Sequence, residues 1–540
     1  MADLKSNEKK ELRSFEQGNI FQRFGRGFVN FFARSIPNFF TKKIPGFFKK
    51  LWLGTKNWFI NFGKRYKDGS VGTKISHFIM GGGSFYHGQI VKGVIFLAIQ
   101  VLFILYMVLC PAIAGPNGTQ VPTGYKSLIN LGLVDGVTQN DSKFIPAGGS
   151  GAWTPEGTFI PADSSFLMLL LGLVTIAVII LYIIVYLSNI KSSYLADTAV
   201  KEGRKPSSFK DDVKALGDNR FHILMLTPTC IAALIFTLLP TILMICLAFT
   251  SYNDLDMQAK GTALFHWVGF DNFAAIFTPG TDSSLGIEIG ARFLPVLGWT
   301  FLWAILATFT CYFGGILLAV LINKKGLKGK KVFRTIFILT IAIPQFISLL
   351  VMRNLLMSTG PINTMLMNMG IIKEPIGFLG QNSGDSEHVA RVMVVIINMW
   401  LGIPYTMLMT SGILMNIPAD LYEAAKVDGT SRPKMFFKIT LPYVIFITTP
   451  YLIGSFVGNI NSFNTIFLLT GGGPSVIGES ASYVAGQTDL LVTWLYKLTI
   501  DRGDYNTGAV IGIFTFIITA TITLITYRRS KAYNEEDTFQ

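Results

Sequence analysis

The sequence predicts an all-α, polytopic membrane protein with about eight transmembrane helices, and three observations carry that prediction. Half of the 540 residues are hydrophobic and only 14% are charged, too little charge to clothe a soluble chain of this length. Eight apolar runs are long enough to cross a bilayer. Lysine and arginine gather in alternate connections between those runs.

A span needs about 20 residues at about 1.5 Å each. The runs fall at 93–113, 166–190, 221–250, 297–322, 332–352, 392–413, 443–469 and 507–527. Lipid offers backbone N–H and C=O groups no partner, so each run is expected to be a helix. The third holds Pro228 and Pro240. Kinks are expected there, because proline lacks an N–H and its ring crowds the preceding turn.

Orientation follows from the basic residues. Residues 1–74 hold 16 Lys and Arg against 5 Asp and Glu, a net +11 of the chain's +14. The connection 191–220 carries Lys191, Lys201, Arg204, Lys205, Lys210, Lys214 and Arg220. The connection 323–331 reads Asn-Lys-Lys-Gly-Leu-Lys-Gly-Lys-Lys, and the tail opens on Arg528 and Arg529. Eight spans place all of these, with both termini, on the cytoplasmic side of the cell membrane. The connections 114–165, 251–296, 353–391 and 470–506 are poorer in Lys and Arg for their length and fall outside.

Before the first span, Phe21, Phe24, Phe28, Phe31 and Phe32 recur at helical spacing around Arg23, Arg26 and Arg34. Phe39, Phe40, Phe47 and Phe48 follow, with Pro37 and Pro45 dividing the segment. This pattern predicts short helices lying in the membrane interface, with anionic lipid as partner. A disordered basic tail is the competing reading. Nucleic acid is not the expected partner, because the basic segment stands before a membrane span. The outer loop 114–165, rich in Gly, Pro, Ser and Thr, reads as a connector, and its Asn117-Gly118-Thr119 matches a short, common sequon.

Several chemistries find no support. Cys110, Cys230, Cys246 and Cys311 lie in apolar runs without metal-ligand spacing and read as small buried hydrophobes. Gly63-Lys64 and Gly329-Lys330 are followed by Arg65 and Lys331, not by the hydroxyl a phosphate loop uses to hold Mg²⁺. Gly81-Gly82-Gly83 lacks the βαβ context of a dinucleotide site. The spans hold almost no Asp, Glu, Lys or Arg, the groups that proton- and ion-coupled transporters use at midplane. No metal or cofactor is expected on this chain. Uphill transport would then draw its energy from a separate ATPase.

The most informative stretch lies between the sixth and seventh runs, residues 416–442. Pro418 can open a helix, and Asp420 and Glu423 early in it suit the helix dipole. Ala424 and Ala425 favour helix, and Gly429 can end it with positive φ. The expected product is a short rigid rod at the membrane surface.

Glu423-Ala424-Ala425, Gly429 and Ile439-x-Leu441-Pro442 fit the EAA motif of ABC importer permeases, which this chain resembles from about residue 221 to 527. The resemblance implies a type I ABC importer permease core of six helices, preceded here by two extra helices and the basic amphipathic N-terminal segment. It assigns ATPase coupling to Glu423, Ala424, Ala425, Asp428, Gly429, Ile439, Leu441 and Pro442. Glu423 would make a polar contact with the ATPase and Gly429 would form the turn.

Within that family the chain is most similar to the MalF-type subunit of maltose/maltodextrin importers. The residues that carry the likeness are 398–405 (Asn-Met-Trp-Leu-Gly-Ile-Pro-Tyr), 437–442, the outer Thr470-Gly-Gly-Gly-Pro474, and 485–492. The large outer domain that some members carry between the third and fourth spans is replaced by about 45 residues. The pattern implies sugar contacts at Asn398, Leu401, Gly402, Tyr405, Ser455, Gly458, Asn459 and Ser462. Amides and hydroxyls suit sugar hydroxyls, Tyr405 can stack on a ring, and Gly402 would allow close approach. Gly458 stands where the pattern has an aromatic, Ser462 where it has an amide, and Ile341 in the fifth span where it has a tyrosine. Packing between helices is the competing reading of each residue alone. Ser455, Asn459 and Ser462, at spacings of four and three, are expected on one helical face.

The resemblance therefore implies half of the translocation path of an ATP-driven maltose/maltodextrin importer. Its partners would be a homologous MalG-type permease, an ABC ATPase dimer that uses the ATP, and an extracytoplasmic sugar-binding protein. The expected organisation is a cytoplasmic segment 1–75, accessory helices within 76–190, a linker 191–220, a permease core 221–530 and a tail 531–540. A permease for another oligosaccharide is the nearest alternative, followed by a secondary transporter or channel. A membrane glycosyltransferase would need clustered carboxylates, and Asp211-Asp212 in the linker is the nearest candidate.

Overall fold

A computed structural model of the chain describes residues 62–109, 112–114, 120–129, 152–153, 159–160, 165–218, 221–253, 265–277, 289–324, 326, 328–380, 385–475 and 484–529. The phenylalanine stripe, the sequon, Cys110 and the tail 531–540 lie outside these residues. In chain order the main helices are α1 (Val71–Ser76), α2 (Gly82–Tyr86), α3 (Ile90–Ile104), α4 (Ser165–Lys201), α5 (Phe209–Gly217), α6 (Phe221–Ala233), α7 (Leu239–Leu247), α8 (Ile289–Asn323) and α9 (Lys330–Ala342). They continue with α10 (Gln345–Leu356), α11 (Pro361–Asn368), α12 (Glu387–Met415), α13 (Ala419–Val427), α14 (Arg432–Met435), α15 (Leu441–Ile460), α16 (Phe463–Leu469), α17 (Leu491–Tyr496) and α18 (Tyr505–Arg529). Strand is confined, among the described residues, to two antiparallel ribbons of two or three residues per strand.

Among the described residues, seven helices are long and apolar enough to cross a membrane, and an eighth crossing needs one bent pair to count as a span. That pair replaces the straight fifth span expected over 332–352. Its two arms, Lys330–Ala342 and Gln345–Asn368, meet at 94°. Ile343 sits in extended geometry (φ −80°, ψ 126°) before Pro344. A residue that precedes proline is pushed out of the helical region, which accounts for the break. The seventh run also differs from expectation. It is two helices, α15 and α16, parted at Asn461 and Ser462. In the third run the ladder widens to a π-turn at Leu234–Leu238, which ends two residues before Pro240. A proline crowds the carbonyl four residues back, and a π-turn relieves that clash.

The chain divides into two units, the first made of residues 1–110 and 176–230. Its organising residue is Asp197, on a stretch of α4 that continues past the expected span end at Ile190. The Asp197 carboxylate is buried. It accepts from the Ser70 amide at 2.8 Å, the Ser70 hydroxyl at 2.5 Å, the Thr73 hydroxyl and His87 Nε2. Asn189 accepts from the Gly81 amide and donates to the Ser76 carbonyl at 3.1 Å. Residues 191–201, the first part of the linker 191–220, are helical, and Asp197 within them bonds to Ser70, Thr73 and His87.

The second unit comprises residues 111–175 and 231–540. Its most extensive helix pair is α8 with α12. Lipid is as apolar as leucine, so close packing rather than water exclusion holds such a pair together. Small residues permit it: a Cβ on Gly315 would lie 2.4 Å from Thr406 Cβ, and one on Gly402 2.6 Å from Cys311 Sγ. One core gathers Trp299, Trp303, Leu349, Val394 and Ile466. A second gathers Leu243, Phe293, Trp494, Leu498 and Val510.

Candidate functional site

Between α12 and α15 the chain forms the rod expected from Pro418 and Gly429. Pro418 (φ −55°, ψ 131°) precedes α13, whose first turn holds Asp420. At the other end Gly429 adopts φ +68°. Its amide donates to Lys426 O at 3.0 Å, and the Thr430 amide donates to Ala425 O at 2.9 Å. These two bonds make a Schellman motif, which satisfies the last carbonyls and stops the helix abruptly.

A side-chain hydrogen bond ties the rod to the next span. The Tyr422 and Thr440 hydroxyls lie 2.8 Å apart, and Thr440 is buried. Between them, α14 passes through a π-turn at Phe436–Thr440 that contains Ile439 and leads into Leu441-Pro442 at the start of α15. Glu423, Ala424 and Asp428 are exposed, and Ala425 is half-buried. Leu421, Val427 (88% exposed) and Phe437 also present apolar side chains. The rod thus presents acidic and apolar side chains side by side on its exposed surface.

The proposed sugar residues separate into two sets. Asn398, Gly402 and Asn459 face α8. Asn398 Nδ2 donates to Cys311 Sγ at 3.4 Å, and Gly402 leaves room for the same sulfur. Asn459 Nδ2 donates to Thr308 Oγ1 at 2.9 Å, while Trp303 Nε1 donates to the Asn459 carbonyl at 3.1 Å. Leu401 packs against the core of Trp299 and Trp303. Tyr405, Ser455 and Gly458 form the other set. Tyr405 is 52% exposed and stacks on Tyr451 with ring centres 5.8 Å apart. Gly458 is exposed with no atom within 4 Å of the place a Cβ would take, and Ser455 is half-buried.

Ser462 does not share a helical face with Ser455 and Asn459. It lies beyond the end of α15, as the residue preceding α16, and its hydroxyl donates to Thr465 Oγ1 at 3.0 Å. Tyr451 takes its place on the open face, four residues before Ser455, a spacing that the sequence displays but that no motif marks. Ile341 sits at the end of α9, 37% exposed.

The segments 470–475 and 484–497, outside the membrane-spanning helices, hold an ion pair that sequence reading missed. Asp489 is fully buried and accepts from Lys497 Nζ at 2.6 Å, the Gly486 amide at 2.7 Å and Thr493 Oγ1 at 2.8 Å. Burial pushes its carboxyl above the usual carboxylate value, against the opposing pull of the Lys497 ammonium and the other donors. Nearby, Arg391 donates to the Gln487 carbonyl at 2.9 Å and lies over the Trp299 ring. Lysine eight residues after an aspartate carries no short-range signal, so the pair was not legible.

Residues 311–532, which hold the rod, the open face and this ion pair, match the family described as binding-protein-dependent transport system inner membrane component. The maltodextrin transport system permease protein MalC of Streptococcus pneumoniae is 31% identical over 470 residues, covering 85% of this chain and 95% of that protein. The chain belongs to the binding-protein-dependent permease family. The galactooligosaccharides transport system permease protein GanP of Bacillus subtilis is 32% identical over 460 residues, covering 85% of this chain and 97% of that protein. The maltose/maltodextrin permease MalF of Escherichia coli is 37% identical over 267 residues, 49% of each chain. As a member of this permease family, the chain is a multi-pass component of the cell membrane.

Proposed function

We propose that this permease forms one half of the translocation path of an ATP-driven importer of maltodextrin-class sugars. The exposed α13 rod, stopped at Gly429 and held to α15 through Tyr422 and Thr440, is the observation that carries the reading. Its exposed Glu423 and its apolar Val427 tip suit a cleft on a separate ATPase, which binds and uses the ATP. A homologous second permease would complete the path, two ATPase subunits would power it, and an extracytoplasmic binding protein would deliver the sugar. The likeness to maltodextrin permeases over 85% of the chain supports the substrate class. The similar match to a galactooligosaccharide permease supports a second reading, import of another oligosaccharide.

Tyr405, Tyr451, Ser455 and Gly458 form the face on which sugar would slide, rings stacking on the tyrosines. Asn398, Gly402 and Asn459 act behind it by seating α12 and α15 on α8. The lysine- and arginine-rich connections support a cytoplasmic position for α13, residues 191–220 and both termini. Uptake of radiolabelled maltotriose and of a galactotriose, in cells lacking the native chain, separates the two substrates. Glu423→Lys abolishes both uptake and co-purification of the ATPase. If an impermeant amine reagent modifies Lys426 or Lys434 from outside intact cells, the reading fails.

A further inference from the structure

In the first unit, a groove of about 720 Å³ opens between the start of α3, the end of α4, the 202–208 connection and α5. This is well within the size range of small-ligand sites. Its floor is polar and its wall apolar. Lys92 is buried at the base, donating to the Ser207 carbonyl at 2.8 Å and pairing with Asp212. Gln89 is also buried; its Nε2 donates to the same carbonyl at 2.7 Å. These bonds fold the 202–208 connection back over α3 and so make the groove.

The charges that line it do not cancel. Lys92 is neutralised by Asp212, and Arg204 pairs with Glu202. Lys191 and Lys205 line the groove and have no ion pair among the described residues, which leaves it with a surplus of two positive charges. The buried Gln89 Oε1, also in the lining, has no hydrogen-bond donor among the described residues. A buried acceptor without a donor is costly unless a ligand supplies one. The opposite wall is apolar: Phe209, Val213 and Leu216 on one face of α5, at spacings of four and three, with Leu195 of α4.

We infer that this groove is a binding site for an anionic phospholipid of the cytoplasmic leaflet, its phosphate on Lys191 and Lys205, a headgroup hydroxyl donating to Gln89, and an acyl chain against α5. Cations at the mouth, an orphan acceptor at the base and an apolar wall match the three parts of phosphatidylglycerol. Basic pockets beside transmembrane helices at the cytoplasmic surface recognise such headgroups. The leaflet assignment rests on the orientation proposed above; the groove itself does not.

Native mass spectrometry of the full-length chain in mild detergent tests the site. Titrated phosphatidylglycerol is expected to stay bound under conditions that strip phosphatidylcholine. Lys191→Glu with Lys205→Glu is expected to cut its occupancy at least tenfold. Lys210→Glu with Lys214→Glu, on the other face of α5, leaves it unchanged. Gln89→Leu lowers the preference for phosphatidylglycerol over phosphatidic acid, which lacks the headgroup hydroxyls, about fivefold. Equal retention of phosphatidylcholine, indifference to the Lys191 and Lys205 changes, or displacement by glycerol 3-phosphate would each overturn the inference. Retention is read on the isolated chain, so it does not depend on orientation, which labelling of Lys426 decides separately.

Discussion

The Tyr422 hydroxyl meets the Thr440 hydroxyl at 2.8 Å and so joins a surface helix to the buried start of a transmembrane one. A rod attached only through its two ends would pivot. This cross-link gives it a third point of attachment. Tyr422→Phe leaves the buried Thr440 hydroxyl without that partner, at a cost of about 1–2 kcal/mol. Sugar uptake is expected to fall about fivefold while the amount of assembled chain changes little. Adding Thr440→Val restores thermal stability, because both polar groups are then gone, but uptake stays low. Recovery of uptake in the double variant would show that the contact only stabilises.

At Gly429 the backbone alone sets the requirement. Nothing lies within 4 Å of the position a Cβ would occupy, yet φ is +68°. Gly429→Ala therefore meets no clash and costs about 1–2 kcal/mol of backbone strain. Gly429→Asn costs less, since asparagine tolerates the left-handed region. Uptake and ATPase co-purification should rank glycine, asparagine, alanine. Equal activity of all three would remove the Schellman stop from the mechanism.

The rod was legible because its determinants are local: Pro418, the alanines and Gly429 act within one turn of themselves. Span positions were legible for the same reason, since lipid imposes a run of apolar residues. The breaks were less so. Pro344 does announce one, but proline also occurs inside α12 and α15 without breaking them, so the residue alone does not foretell a bend of 94°. The face each side chain takes was not legible. The partner of Asn398 lies 87 residues away and that of Asn459 151 residues away. Periodicity along one helix identifies residues that share a face, not whether that face meets a neighbour or the open path.

Gly402 separates the two roles weighed for the candidate sugar residues. A Cβ there would meet Cys311 Sγ at 2.6 Å. Gly402→Ala is expected to destabilise the α8–α12 pair by about 1–3 kcal/mol. Cys311→Ala should recover most of that loss, a strong non-additivity between touching residues. Tyr405→Ala, on the exposed face, should raise the KM for maltotriose uptake severalfold while leaving stability within about 0.5 kcal/mol. Thermal unfolding in detergent and uptake kinetics read the two effects apart. A Gly402→Ala chain of full stability with a raised KM would put sugar, not Cys311, against this glycine.

The Asp489–Lys497 pair should respond asymmetrically to loss of either partner. Asp489→Ala strands an ammonium whose side chain is only 12% exposed, at an expected cost of about 3–5 kcal/mol. Lys497→Met strands the carboxyl instead. Burial already holds that carboxyl above its usual value, so it can take up a proton and become neutral. Lys497→Met is therefore the milder change. Its pH dependence follows from the sign of the shift. A carboxyl whose folded value is raised contributes stability that is full below the unfolded value of about 3.9. That contribution is lost as pH rises through the folded value. The Tm of Lys497→Met should accordingly fall as pH increases across that window. In Asp489→Asn with Lys497→Met the group is gone and the slope should vanish. Melting curves of the two variants over a common pH series decide it: parallel profiles would mean that Asp489 does not take up the proton.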